Sequence, residues 1–194
     1  MRILTFSLKG GTGKSTIALN WALTLGWGVV TNDLYSPVDR VLPKERVLKL
    51  QRDQPLPSLP KEFEVVYDFG GYVDDRVVQA MQDATTVIVP TTNAYADLQV
   101  ALETIKEVEA INARILVVAN KAGRGDLEAV QAVIGRFFAH PVLPLKATKA
   151  LSRIYATKRP LSEVARSGPL NAYVYGEASN QFAAIIAAAK KGKS

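Results

Sequence analysis

The stretch Leu8-Lys9-Gly10-Gly11-Thr12-Gly13-Lys14-Ser15-Thr16 constrains this chain more than any other. Before it, residues 2–7 form an apolar run that reads as a short buried strand. After it, residues 15–25 carry Ile17, Ala18, Trp21, Ala22 and Leu25 at helical spacing. Strand, glycine turn and helix in that order aim the backbone N–H groups of Gly10, Gly11, Thr12 and Gly13, and those of the helix N-terminus, at one point. There they cradle phosphate oxygens without side-chain help. Lys14 can then reach the β- and γ-phosphates, and the Ser15 hydroxyl, with Thr16 behind it, is placed to ligate magnesium. The usual spacing, G-x-x-x-x-G-K followed by Ser or Thr, wants glycine at position 8. This chain has Leu8 there and, in exchange, Lys9 before a glycine pair.

The alternation continues downstream. Residues 27–32, 63–68, 86–89, 114–119 and 142–145 read as strands, the third of these runs being stopped by Pro90. A short amphipathic helix is expected over 44–51, followed by a loop set by Pro55, Pro57 and Pro60. Asp74 can cap a helix running to Asp83, and further helices are expected over 95–111 and 127–138 and through most of the remainder to Ala189. Strands that are continuous apolar runs, alternating with helices, argue for an α/β fold: a mostly parallel sheet with helices on both faces. At 194 residues the chain suits one domain, 1–194. Ligands of such a sheet bind at the carboxyl ends of its strands. Residues 9–15, Asn32-Asp33, 68–71 and Asn120-Lys121 all fall there.

Composition removes several chemistries. There is no cysteine and one histidine, His140, so a disulfide framework, a thiolate zinc site, an iron–sulfur cluster and a histidine metal site are all excluded. A metal must be held by oxygen, which favours magnesium with a phosphate substrate. No run of roughly 18 to 20 apolar residues is available for a membrane span. The start of the chain does not read as a signal peptide, so a soluble, cytoplasmic protein is expected. The net charge of +6 is unevenly placed: residues 1–119 hold 12 Lys+Arg against 14 Asp+Glu, whereas 120–194 hold 12 against 4. A basic C-terminal part suggests a polyanionic partner, nucleic acid before an anionic membrane.

The lysine immediately before Gly10-Gly11 resembles the deviant Walker A box of the ParA/MinD group of P-loop ATPases, and the resemblance covers nearly the whole chain. It implies the P-loop NTPase fold, ATP and Mg2+ as ligands, and a homodimer in which Lys9 reaches the nucleotide of the second subunit. A lysine on the rim of the loop has little use in its own subunit, where Lys14 already serves the γ-phosphate. Asp68, ending Val65-Val66-Tyr67-Asp68, looks like the Walker B aspartate that holds magnesium through water. Phe69-Gly70-Gly71 follows, so the Gly71 N–H can sense the γ-phosphate. Val29-Val30-Thr31-Asn32-Asp33 lines up with the segment whose aspartate positions the attacking water, which makes Asp33 the candidate. The family's Asp-x-Asp-Pro-Gln is here Thr31-Asn32-Asp33-Leu34-Tyr35. Asn120-Lys121-Ala122-Gly123 is similar to the base-reading motif of GTPases but has Gly123 where guanine needs an aspartate, so adenine is expected, with Asn120 offering its amide.

Among the functions this resemblance implies, nitrogenase-type reductases are excluded by the missing cysteines. The basic residues of the C-terminal part favour a ParA-like partition ATPase: slow, stimulated by a centromere-binding (ParB-like) adaptor, bound to DNA without sequence preference and therefore nucleoid-associated. Lys146, Lys149 and Arg153 fall at helical spacing and, with Lys158 and Arg159, are the expected DNA contacts. The alternative is a MinD-like membrane-associated ATPase or one positioning another cargo. Phe182, Ile185 and Ile186, followed by Lys190-Lys191-Gly192-Lys193, make only a thin apolar face for a membrane.

Overall fold

The computed structural model describes residues 1–112 and 114–191. Seven short apolar runs become strands: β1 (Arg2–Thr5), β2 (Gly28–Thr31), β3 (Val47–Lys49), β4 (Val65–Asp68), β5 (Thr86–Thr91), β6 (Ile115–Ala122) and β7 (Val142–Lys146). They form one sheet in the order β3-β2-β4-β1-β5-β6-β7, with every pairing parallel. Parallel neighbours need long crossovers rather than tight hairpins. The helices are α1 (Lys14–Leu25), α2 (Asp75–Asp83), α3 (Tyr95–Glu109), α4 (Asp126–Ile134), α5 (Lys149–Ser152), α6 (Ile154–Thr157), α7 (Leu161–Arg166) and α8 (Pro169–Lys190).

The two-residue period of each strand divides the core. Leu4, Tyr67, Val87, Val89 and Val117 pack with Val77 and Met81 of α2, Leu98 and Ile105 of α3, and Val130 and Ile134 of α4. Their sequence neighbours Ile3, Val66, Ile88, Leu116 and Val118 turn to the opposite face, where α1, α5, α7 and α8 cover them. Both faces are therefore sealed, which is why the strands are apolar throughout. Trp21 of α1 sits between Trp27 and Phe182, the latter meeting it edge-on with centroids 6.1 Å apart. Ile185 and Ile186 of α8 lie in the same core. The apolar residues that a membrane-binding C-terminal helix would use are thus inside the fold, while Gly192, Lys193 and Ser194 lie outside the described residues.

Three elements depart from expectation. The segment 44–51 is not a helix: a 3-10 turn, Lys44–Arg46, leads into β3, because Val47 and Leu48 complete the sheet edge beside Val29 and Val30. Pro90 does not stop β5. Ile88 accepts from the Phe6 N–H at 3.0 Å, so residues of its parity face β1, and the N–H that Pro90 lacks points past the last paired residue of β1. β6 runs on to Ala122 through a bulge at Lys121, whose φ is 56°. Asp74 does cap α2, accepting from the Val77 N–H at 2.9 Å.

Candidate functional site

The turn after β1 reverses the chain into α1 at the middle of the sheet. Gly11 and Gly13 take φ of +80° and +100°, a left-handed backbone that only glycine adopts cheaply. At Gly13 a side chain is also excluded by contact, since a Cβ would lie 2.1 Å from Asn120 Nδ2. That amide donates to the Thr12 carbonyl at 2.7 Å, and Lys121 Nζ donates to the Gly11 carbonyl at 3.3 Å. The bulged end of β6 therefore braces the loop from behind. One Nδ2 hydrogen of Asn120 supports the loop, which leaves its second N–H and its carbonyl oxygen for the expected contact with a base.

Two cavities flank the turn. One, about 420 Å³, is lined by Gly10, Lys14, Ser15, Asp33, Asp68 and Gly71. The structure thus gathers into one cleft the groups expected to meet the phosphates, the magnesium and the attacking water. Gly70 lies so close to Lys14 that a Cβ there would come 3.1 Å from Lys14 Cε. Lys14 Nζ donates to the Lys9 carbonyl at 2.8 Å. Burial holds its ammonium below the usual lysine range, with the charge of Asp68 opposing.

Asp68 is 4% exposed, and burial pushes its carboxyl up to about 6, against the Ser15 hydroxyl and the Lys14 charge; the nearby Asp33 raises it further. A carboxylate buried with a serine hydroxyl and no full neutralising partner is the donor set that suits an oxygen-seeking divalent cation. Among the described residues no group of three or more His, Cys, Asp or Glu could hold a metal, so further oxygens must come from substrate and water. The residues present fit Mg2+ bound together with a phosphate.

The second cavity, about 560 Å³, opens on the other side of the turn between Gly13, Thr16, Asn120 and the start of α5. Lys146 and Lys149 line it. The expected helical stripe is therefore not formed: Lys146 ends β7, Lys149 begins α5, and Arg153 lies in the break before α6. Lys146 pairs with Glu177 and Arg159 with Glu163, whereas Lys149, Arg153 and Lys158 are exposed.

Lys9 stands on the rim, but its Nζ is ion-paired with Asp97 in the first turn of α3, which also accepts from Thr92 Oγ1. The Lys9 and Thr92 bonds hold Asp97 below the usual carboxylate range. Two residues near the cleft escaped the sequence reading. Asp97 lies far from the loop in sequence, and nothing local marks it. Tyr155, on α6, is pushed up to about 12 by burial and by the charges of Asp68 and Asp33, so its hydroxyl belongs to the surroundings of the cleft.

No family model matches the chain, and no curated protein matches it. Solved structures do. MinD from Pyrococcus horikoshii, complexed with Mg-ADP, superposes with a TM-score of 0.69 at 17% identity over 100% of this chain and 97% of its own. Apo McdA from Cyanothece gives 0.67 at 12% over 96% and 98%. A ParA family ATPase from Chlorobium tepidum gives 0.59 at 19% over 91% and 97%. At these identities the likeness is one of architecture: the chain has the fold of the MinD/ParA-type P-loop ATPases.

Proposed function

We propose that this chain, as one domain, is a slow ATPase switch. Two copies close around MgATP, the closed dimer holds DNA without sequence preference, and a ParB-like adaptor stimulates the hydrolysis that releases it. Such a protein is cytoplasmic and nucleoid-associated. The observation that carries the reading is the lysine-bearing phosphate loop seated against a buried, cation-seeking Asp68 in one cleft with Asp33. The Mg-ADP bound by the MinD neighbour agrees with a nucleotide at this place.

In this reading the backbone from Gly10 to Thr16 wraps the phosphates, Lys14 leaves the Lys9 carbonyl for the β- and γ-phosphates, and Gly71 N–H senses the γ-phosphate. Ser15 and Asp68 would hold a magnesium ion, which would supply positive charge to the phosphates. Asp33 orients the attacking water. Asn120, with one Nδ2 hydrogen given to Thr12, offers the rest of its amide to the base. Its Oδ1 can accept from the 6-amino group of adenine, while Gly123 stands where guanine needs a carboxylate.

Lys9 exchanges Asp97 for the partner subunit's nucleotide on closure. Lys149, Arg153 and Lys158 lead the DNA surface. Lys146 and Arg159 join it by giving up exposed ion pairs, which hold by only about 0 to 1 kcal/mol. Lys9→Ala should still bind nucleotide as a monomer but fail to dimerise with ATP and Mg2+, as followed by light scattering. Equal dimer formation by wild type and Lys9→Ala contradicts the role in trans.

A further inference from the structure

Thr31 ends β2 in register with Asp68 of β4 and is fully buried. A buried hydroxyl must find partners, and this one finds two. Oγ1 donates to the Asp68 carbonyl at 2.9 Å and accepts from the Asp33 N–H at 3.1 Å. The Thr31 carbonyl is taken by the Leu50 N–H at 2.8 Å. One residue on, Asn32 Oδ1 accepts from the Gly70 N–H at 3.3 Å. The Asp33 carboxylate is then turned by the Tyr35 N–H, which donates to Oδ1 at 2.9 Å.

The turn that carries Asp33 is thus fastened at two points to the strand end that carries Asp68 and to the glycine turn that follows it. We propose that Thr31 and Asn32 are positioning residues for hydrolysis. They hold Asp33 at a fixed place relative to Asp68 and Gly70, so that a phosphate seated against Gly71 sets the orientation of Asp33. Thr31 acts through its backbone partners and touches neither metal nor phosphate. Asn32 supplies the link that moves with the glycine turn. The inference rests on the ATPase reading above.

The test is single-turnover hydrolysis of MgATP, with ADP affinity measured beside it, on the full chain. Thr31→Val keeps the shape and removes the hydroxyl, Thr31→Ser keeps the hydroxyl, and Asn32→Leu removes only the Gly70 link, which covers a failure of Thr31→Val to fold. Displacing a catalytic group slightly is costly in rate. Thr31→Val and Asn32→Leu should therefore hydrolyse about 10- to 100-fold more slowly, with ADP affinity within about twofold of wild type. Thr31→Ser should restore the rate. In an Asp33→Ala background, Thr31→Val should cost nothing further, since both changes remove the same function.

Wild-type turnover in folded Thr31→Val and Asn32→Leu overturns the inference. So does a matching loss of ADP binding, or an undiminished effect of Thr31→Val in the Asp33→Ala background. A wild-type protein that does not hydrolyse ATP with Mg2+ fails the underlying reading and takes the inference with it.

Discussion

Asp68 concentrates the conflict between folding and function in one carboxyl group. Its folded-state value is raised to about 6 from 3.8, chiefly by burial, so the folded state binds a proton that the unfolded state has already lost. The sign follows: this group opposes folding fully above about pH 6, and the opposition fades as pH falls toward about 4. Asp68→Asn should therefore stabilise the nucleotide-free protein by roughly 1 to 3 kcal/mol near neutral pH, with the gain vanishing at about pH 4, as read from urea unfolding at several pH values. A gain independent of pH would mean that the charge is not its source. Lys14, Ser15 and Asp68 were legible in the sequence because their chemistry is local: each sits at a fixed step from a glycine turn or a strand end. Asp97, Tyr155 and the bracing bond from Asn120 to Thr12 were not, because each depends on which distant strand end the fold brings alongside.

Most elements followed from apolar periodicity, and the cap at Asp74 followed from its side chain. The misreadings share a cause. Whether 44–51 coils or extends is decided by the empty edge beside β2, and whether Pro90 ends β5 is decided by where β1 stops. The spacing of Lys146, Lys149 and Arg153 was helical, yet the strand β7 claims the first of them because Leu143 and Leu145 pair with β6. α8 is the element on which the functional alternatives divide. Phe182 is 3% exposed and meets Trp21 edge-on. Phe182→Ala should cost about 3 to 5 kcal/mol of unfolding free energy, as buried aromatic truncations do. A loss below about 1 kcal/mol would show that this face of α8 is not core, and the membrane reading would regain its helix.

At the scale of the whole molecule, the sheet places the candidate nucleotide-binding groups at the carboxyl ends of β1, β2, β4 and β6, which is where open parallel sheets bind ligands. In the proposed dimer, closing two such sites on each other would double the phosphate contacts of one basic surface and combine two weak attachments into a useful affinity. DNA binding should therefore depend on ATP and weaken steeply with salt, and Lys149→Ala with Arg153→Ala should lower the slope of log affinity against log salt by roughly 0.9 per lost phosphate contact. Among the described residues no helix is long and apolar enough to cross a membrane. The most direct test is co-sedimentation of the protein with plasmid DNA and, separately, with anionic liposomes, each with Mg2+ and either ATP or ADP at low salt. Recovery with DNA in ATP and not in ADP, and none with liposomes, is expected; ATP-dependent recovery with liposomes and none with DNA would overturn the DNA-binding reading.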